Sequence, residues 1–377
     1  MIVCDNLCLR FSAQRDPVLQ GIGFSVPRGT CAVLAGGSGC GKTTVTRCIN
    51  GLIPALYPAD IEGDVWIDGL SFGGHNPWDT GPVCGCVFQD PRSQFFTTNA
   101  TSEIAFAMEN YGVAPDKINR RIDEVFSLLD IGHLRDKSVF ALSSGEKQKI
   151  AIASALAMKP KILVLDEPSA NLDLKSTVAL GELLQGLKQQ GQTIIIAEHR
   201  LHYLYETADH LVVMDNGRVR WQAEREKIRA FGTKELNALG LRSLRLKDRV
   251  KHKPVSLLAP PKVTLNCRGL SFGYQNTPLL LRDISFGAKG GEIVGLVGDN
   301  GAGKTTLAKI LCGLLKQRWG SVWIDGAEAT PKMRIAQSYF VMQDADYQLF
   351  AESVEEEVCL GCDVHGRDRE RVGHVLA

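Results

Sequence analysis

The chain has 377 residues, enough for two or three domains, and its charges balance at 43 lysines and arginines against 42 aspartates and glutamates. This balance leaves no broad polycationic face, so binding to bulk nucleic acid has no support in the composition. No apolar run reaches the roughly 18 residues that cross a bilayer, and residues 1–5 lack the features of a signal peptide, so we expect a cytoplasmic location.

The first stretch of the chain predicts antiparallel strands, followed by a strand, a loop and a helix. Segments that alternate between apolar and polar residues predict strands at 3–11, 23–26 and 65–67. An apolar strand at 31–35 leads into Gly36-Gly37-Ser38-Gly39-Cys40-Gly41-Lys42-Thr43, and a helix at 44–50 follows. The loop fits G-x-x-x-x-G-K-[ST], and these flanking elements are the surroundings that a phosphate-binding loop needs.

The residues of this loop match the chemistry of a nucleotide phosphate chain. Glycines let backbone N–H groups approach phosphate oxygens, Lys42 supplies a positive charge, and Thr43 offers a hydroxyl to Mg²⁺. The dipole of the following helix adds to the attraction. The predicted nucleotide-binding residues are Gly36, Gly39, Gly41, Lys42, Thr43 and Thr44.

A second group of small residues precedes a later helix. Helical patterns cover 118–129 and 145–157, and the second of these is preceded by Leu142-Ser143-Ser144-Gly145-Glu146-Lys147-Gln148. Because the start of a helix attracts anions, Ser143, Ser144 and Gly145 are predicted to reach a γ-phosphate that is held elsewhere.

Two further apolar strands end in polar residues that can act on a bound phosphate. The strand at 162–165 is followed by Asp166, which can bind Mg²⁺ through water, and by Glu167, which can polarise the attacking water. The strand at 193–197 places His199 near the phosphates. Strands that alternate with helices predict a buried sheet with its loops at one edge.

The second half of the chain repeats the first, with Lys304 placed 262 residues after Lys42. Trp66-Ile67-Asp68-Gly69 matches Trp323-Ile324-Asp325-Gly326, and Gln89-Asp90 matches Gln343-Asp344. A strand at 293–297 and a helix at 306–312 are predicted around a second glycine-rich loop. The predicted nucleotide-binding residues of the repeat are Gly298, Gly301, Gly303, Lys304, Thr305 and Thr306.

The two repeats are separated by a segment without a counterpart. Residues 221–262 contain a basic run at 242–253 and three prolines, Pro254, Pro260 and Pro261, which predicts an interdomain linker. The predicted division is therefore a first domain at 1–220, a linker at 221–262 and a second domain at 263–377.

Taken together, these motifs resemble the nucleotide-binding domain of an ATP-binding cassette (ABC) protein. Residues 36–43 resemble Walker A, 142–148 the signature motif (with Ser144 and Glu146 as departures from LSGGQ), 162–167 Walker B, 169–173 the D-loop and His199 the H-loop. Gln89 resembles the Q-loop glutamine, and Gln343 is its counterpart in the repeat. Phe11 and Tyr274 lie where the family stacks an aromatic ring on adenine.

The resemblance implies an α/β fold with two P-loop NTPase domains in tandem. Each would have a mainly parallel core sheet, an antiparallel β subdomain and a helical subdomain, with the second domain incomplete. It implies ATP and Mg²⁺ as ligands, with Glu167, His199 and Gln89 in catalysis. The implied metal-binding residues are Thr43, Gln89, Asp166, Thr305 and Gln343.

Two stretches narrow the resemblance to the energy-coupling-factor importers. They are Gln-Asp-Pro-x-x-Gln-Phe, which spans 89–95, and Glu198-His199-Arg200-Leu201. Such importers take up vitamins or transition-metal ions, and their cassettes work with a membrane-embedded coupling protein and a substrate-capturing membrane protein. This resemblance implies a peripheral position on the inner face of the cell membrane and no nucleic-acid partner.

The motif spacing indicates that the second set of motifs is cut short. Cassettes of this family pair head to tail, and Ser143 lies 101 residues after Lys42. The second half is 8 residues shorter by Gln343, which follows Lys304 by 39 residues where Gln89 follows Lys42 by 47, so the second signature would fall at about residue 397. We expect a fragment of a longer fusion, a truncated product, or a protein completed by another chain, whose cassettes pair within or between chains. Two alternatives stay open: a soluble tandem-cassette ATPase that acts on ribosomes, and the ATPase of an ABC exporter.

Overall fold

The computed structural model describes residues 1–71, 77–242, 264–275, 277–343, 345–360 and 369–376. Its internal contacts divide the chain into Met1–Lys253 and Pro254–Ala377, here named unit 1 and unit 2. Within the described ranges, no helix has both the length and the apolar character that a membrane span requires.

Unit 1 combines a parallel core sheet, an antiparallel sheet and a set of helices. Its strands are β1 Ile2–Phe11, β2 Leu19–Val26, β3 Cys31–Gly36, β4 Ala59–Ile67, β5 Leu70–Ser71, β6 Cys84–Val87, β7 Ile162–Asp166, β8 Thr193–Ala197, β9 His210–Asp215 and β10 Arg218–Glu224. Its helices are α1 Lys42–Ile49, α2 Leu52–Ala55, α3 Pro77–Thr80, α4 Ala100–Asn110, α5 Pro115–Leu128, α6 Ser144–Ala157, α7 Leu174–Gln189, α8 Arg225–Ala230 and α9 Thr233–Ala238. The strands and helices predicted in 1–200 are confirmed, although β2 and β4 begin four and six residues before the predicted starts at 23 and 65.

The core sheet has the strand order β10-β9-β3-β8-β7-β6. Strand β3 pairs in parallel with β8 and β9, and β7 pairs in parallel with β6 and β8. Every residue of β3 and β8 is buried, because helices and the second sheet cover both faces, and this explains their continuous apolar sequence. The carboxyl ends of β3, β7 and β8 therefore meet at one edge of the sheet.

The antiparallel sheet has the order β2-β1-β4-β5 and packs over α1. The buried side chains of β1 belong to an apolar cluster that also contains Val45 and Ile49 of α1. These side chains are Ile2, Cys4, Leu7 and Leu9. The opposite face of the core sheet packs against α4, α5, α6 and α7 in a second cluster. Helix α1, which follows the first glycine-rich loop, is thus held between two sheets.

Residues 221–242 belong to unit 1, in contrast to the predicted linker. Strand β10 runs through the predicted boundary, and the rings of Trp221 and Phe231 pack edge to face at 4.6 Å. Ile228 and Leu236 are buried in the main apolar cluster of the unit. The surrounding basic residues concealed this apolar spacing in the sequence. Residues 243–262, the rest of the predicted linker, lie outside the described residues.

Unit 2 repeats the antiparallel sheet of unit 1. Its strands are β11 Thr264–Phe272, β12 Leu281–Lys289, β13 Trp319–Ile324 and β14 Ala327–Glu328, and its helices are α10 Lys304–Leu311, α11 Pro331–Gln337, α12 Val354–Cys359 and α13 Arg369–Leu376. The strand order β12-β11-β13-β14 is the order of the corresponding strands in unit 1. Leu307 and Ile310 of α10 pack beneath this sheet, as α1 does in unit 1.

The predicted strand at 293–297 does not form, and the described residues of unit 2 contain no parallel sheet. Ile293 and Val297 are fully exposed. The corresponding strand of unit 1, β3, is paired on both sides by β8 and β9. None of the described residues of unit 2 pairs with 293–297, and an apolar run forms a strand only where other strands share a hydrogen-bond ladder with it.

Candidate nucleotide-binding site

The first glycine-rich loop joins β3 to α1 in a conformation that depends on glycine. Gly36, Gly39 and Gly41 have φ angles of 150°, 75° and 101°, in the region that L side chains rarely adopt. A Cβ atom on Gly36 would lie 2.2 Å from the carbonyl oxygen of Met214, and one on Gly41 would lie 2.7 Å from Cδ2 of Leu19. Left-handed turns of this kind form backbone nests that bind anions.

Lys42 and Thr43, the first residues of α1, both point toward the loop and the sheet edge. The side chain of Lys42 is only 4% exposed, and its Nζ donates hydrogen bonds to the carbonyl oxygens of Gly36 at 3.2 Å and Gly37 at 2.9 Å. Thr43 Oγ1 donates to Oδ1 of Asp166 at 3.0 Å. An ammonium group therefore lies across the loop, with a hydroxyl and a carboxylate beside it.

Asp166 and Glu167 stand at the end of β7, at the edge where β3 and β8 also end. Burial raises the pKa of Asp166, the hydrogen bond from Thr43 opposes this effect, and the charge of Glu167 adds to it. A divalent cation would favour the ionised form of Asp166. Hydroxyl and carboxylate oxygens are the donors that Mg²⁺ prefers, so Thr43 and Asp166 fit a magnesium ion.

Glu167 is bracketed by the two other residues predicted for catalysis. Gln89 Nε2 donates to Glu167 Oε2 at 3.1 Å, and His199 Nε2 lies 3.0 Å from Glu167 Oε1. Glu167 itself adopts a left-handed φ of 43°, which is uncommon for a residue with a side chain. The ends of three strands thus bring Gln89, Glu167 and His199 together, although they are far apart in the sequence.

Sequence reasoning missed the role of Glu198, which lies directly before His199. Its side chain is 2% exposed, yet it accepts four hydrogen bonds. Oε1 accepts from the backbone N–H groups of His199 at 2.7 Å and Arg200 at 3.0 Å, and Oε2 accepts from Tyr203 Oη at 2.7 Å and the N–H group of Ser169 at 3.3 Å. This carboxylate joins the segment of His199 to the turn after Glu167. The motif contained Glu198, but only the fold reveals its burial.

We expect Tyr203→Phe to destabilise unit 1 by roughly 1–3 kcal/mol, because it removes one donor from a buried carboxylate. Chemical denaturation followed by tryptophan fluorescence measures the loss. Tyr57→Phe is the matched control, because the Tyr57 hydroxyl has no hydrogen bond among the described residues and its ring is exposed. Equal stability of Tyr203→Phe and Tyr57→Phe would contradict the importance of the Glu198 network.

The other residues predicted for unit 1 lie in two places. Phe11 ends β1 and is half-buried against the cluster beneath the antiparallel sheet. Ser143 is the N-cap of α6, and Ser144 and Gly145 form its first turn. The hydrogen bonds of the described residues do not join 143–145 to the loop at Lys42. The geometry of unit 1 therefore brings together the loop, Gln89, Asp166, Glu167 and His199, and leaves the start of α6 outside this group.

The second glycine-rich loop, in unit 2, has the conformation of the first. Gly298, Gly301 and Gly303 have φ angles of 154°, 82° and 89°. Lys304 Nζ donates to the carbonyl oxygens of Gly298 and Asp299, each at 2.7 Å. The surroundings of the two loops also match. A Cβ atom on Gly303 would lie 2.7 Å from Cδ2 of Leu281, and a Cβ atom on Gly41 would lie 2.7 Å from Cδ2 of Leu19.

The rest of the second site is sparser in the described residues. Tyr274 Oη lies 3.2 Å from Thr306 Oγ1, so the predicted adenine-stacking ring lies beside the first turn of α10. Thr305 is exposed, and Gln343 is exposed in a segment without regular structure. No described residue of unit 2 occupies the positions that Asp166, Glu167 and His199 have in unit 1.

Comparison with known proteins identifies the family. The family model described as ABC transporter matches residues 19–170 and 281–377. The chain belongs to the ABC transporter family of ATP-binding proteins. A Treponema denticola protein with the provisional name ABC transporter ATP-binding protein is 42% identical over 367 residues, which cover 96% of this chain and 74% of that protein.

Two solved structures of ATP-binding cassettes resemble this chain. One is cbiO1 from Clostridium perfringens, part of the ABC transporter complex cbiONQ, with a TM-score of 0.56 and 30% identity over 63% of this chain and 94% of that chain. The other is the cassette MJ0796, a dimer bound to ADP and Pi in a post-hydrolysis state, with a TM-score of 0.52 and 20% identity over 60% of this chain and 99% of that chain. The second likeness supports the cassette fold alone.

Membership of the family gives the chain an ABC ATPase fold of the P-loop NTPase class. The family hydrolyses ATP, and its cassettes work as dimers with membrane components. The glycine-rich loops of both units fall within the two matched segments, as do Gln89 and Glu167. His199 lies after the first matched segment, and the contact with Glu167 connects it to the site.

Proposed function

We propose that the chain is the ATP-binding and ATP-hydrolysing subunit of an energy-coupling-factor importer, with its catalytic site in unit 1. The observation that carries this proposal is the Glu167 carboxylate, held between Gln89 and His199 beside the loop of Lys42. A loop that holds a triphosphate and a fixed carboxylate that can accept a proton from water are the two requirements of phosphoryl transfer to water.

In the proposed reaction, the loop of unit 1 holds the phosphates of ATP, and Lys42 moves from the loop carbonyls to the phosphate oxygens. Glu167 orients a water molecule toward the γ-phosphate and accepts its proton. His199, released from Glu167, donates a hydrogen bond to the γ-phosphate. Thr43 and Asp166, with Gln89, would hold Mg²⁺, which supplies neutralisation of the phosphate charge when bound.

The proposal also assigns a role to each unit. Residues 1–242 form a first cassette with a full set of motifs, and 264–376 contribute a second Walker A loop and Gln343. The signature at 143–145 serves an ATP held by another cassette. One such nucleotide is the ATP at Lys42 in a second copy of the chain.

The importer assignment rests on likeness and on an exposed aromatic surface. The neighbour cbiO1 belongs to the complex cbiONQ, and Gln89-Asp90-Pro91 opens a segment that resembles the importer family. Beyond it, Phe96 is 74% exposed and stacks on Phe106 with ring centroids 4.9 Å apart. An exposed aromatic ring, backed by the half-buried Phe106 and seven residues after Gln89 in the sequence, suits a helix of a membrane-embedded coupling protein, which would place the chain on the inner membrane face.

Purification of the tagged chain from a detergent extract of its own cells tests the importer assignment. We expect an integral membrane protein to co-purify, and Phe96→Ala to lower its recovery, since the exposed ring would form part of the contact. Leu70→Ala is the matched control, because Leu70 is also exposed but lies on the antiparallel sheet. Recovery of ribosomal proteins in place of a membrane protein would contradict the assignment.

A further inference from the structure

The signature segment of unit 1 contains a carboxylate that contacts the serine expected to bind phosphate. Ser143 is the N-cap of α6, and Glu146 is the third residue of that helix. Glu146 Oε2 accepts hydrogen bonds from Ser143 Oγ at 2.7 Å and from the Ser143 N–H group at 2.8 Å. In return, Ser143 Oγ accepts from the Glu146 N–H group at 3.3 Å. The two residues thus form a capping box.

The hydroxyl proton of Ser143 can take part in only one hydrogen bond at a time. A serine hydroxyl donates a single hydrogen bond, and here the bond is donated to a carboxylate. A phosphate oxygen that approaches Ser143 would need the same proton. The exposed position of Ser143 leaves room for this approach, so Glu146 and the phosphate compete for one donor.

The charge of Glu146 acts in the same direction. Partial burial tends to raise the pKa of Glu146. The hydrogen bonds from Ser143 and the charge of Lys137 lower this pKa, and together they outweigh the effect of burial. The pKa is therefore lowered, and the carboxyl group is ionised at neutral pH. A negative charge in the first turn offsets the positive end of the helix dipole. The start of α6 is therefore a poorer anion site than a helix with a neutral residue there.

We propose that Glu146 weakens the hold of the signature segment on ATP carried by an opposing cassette, by retaining the Ser143 hydroxyl and by repelling the phosphates. This inference rests on the proposed function, since it requires cassettes that close on ATP. Glu146 is then a positioning residue that sets how much ATP is needed for closure, and it is separate from the catalytic group around Glu167.

The variant Glu146→Gln tests this proposal with little disturbance of the helix. Glutamine also forms capping boxes, so the N-terminus of α6 remains capped while the charge is removed. In a Glu167→Gln background, which holds ATP without turnover, we expect the ATP concentration that half-dimerises the chain to fall about tenfold, the size of one hydrogen bond to a charged group. Sedimentation velocity across an ATP series measures dimer formation.

Two further variants show whether the effect acts through Ser143. Glu109→Gln removes an exposed acid on α4 and is expected to change nothing. In a Ser143→Ala background, Glu146→Gln is expected to have a smaller effect, because only the charge term remains. An unchanged or weaker dimer in Glu146→Gln, or no dimer in any variant, overturns the proposal. Failure of the proposed function appears separately, as wild-type hydrolysis no faster than that of Glu167→Gln.

Discussion

Glu167→Gln is expected to lower the rate of ATP hydrolysis about 10²- to 10⁴-fold, the usual contribution of a general base. Glutamine has the shape of glutamate and can still contact Gln89 and His199, but it cannot accept a proton from water. The loop of Lys42 is left intact, so ATP should bind as well as before. Phosphate release under steady-state conditions measures the first effect, and equilibrium binding of ATP measures the second.

The control for this experiment is Glu182→Gln. Glu182 is an exposed acid on α7, and it makes no contact with the group around Glu167. This control should retain the full rate. A Glu167→Gln protein that hydrolyses ATP at more than a tenth of the wild-type rate would show that another group activates the water, and it would contradict the catalytic site proposed for unit 1.

Lys42→Ala is expected to weaken ATP binding to unit 1 by at least about 2 kcal/mol, or about 30-fold in Kd, and to stop hydrolysis. Lys42 is buried and points across the loop, so its removal leaves the phosphates without their nearest cation. Because Lys304 lies on a second loop, one of two nucleotides per chain should remain bound. Isothermal titration with ATP reports both the affinity and the stoichiometry.

Lys175→Ala is the matched control for Lys42→Ala, because Lys175 is exposed at the start of α7. Its affinity and rate should equal those of the wild type. Full hydrolysis by Lys42→Ala would place the active nucleotide elsewhere in the chain. Loss of both bound nucleotides would instead indicate that the loops of Lys42 and Lys304 do not bind independently.

The sequence predicted the arrangement around Glu167 because it depends on local patterns. A buried parallel strand delivers the residues after it to a known edge of the sheet, so Asp166, Glu167 and His199 were expected to lie near the loop of Lys42. The loop glycines were expected because they let backbone N–H groups approach phosphate oxygens, and the structure adds their left-handed φ angles. The family resemblance named Gln89 as the Q-loop glutamine, and the structure adds its contact with Glu167 at 3.1 Å.

Features that depend on distant partners could not be predicted. The segment 293–297 is as apolar as β3, but an apolar run becomes a strand only where other strands pair with it. The helices at 225–238 were hidden among basic residues, and only their packing against Trp221 reveals them as part of unit 1. The four donors that converge on Glu198 come from Ser169, His199, Arg200 and Tyr203, and only the fold brings Ser169 to it.

The account as a whole depends on unit 1 being an ATPase that needs a facing signature segment. Steady-state hydrolysis by the purified chain, measured over a wide range of protein concentration with Glu167→Gln as the blank, tests this most directly. We predict a specific activity that rises with protein concentration and is absent from the blank, because copies of the chain supply each other's signature. Activity no higher than that of the blank at every concentration, or robust activity that does not depend on concentration, would contradict it.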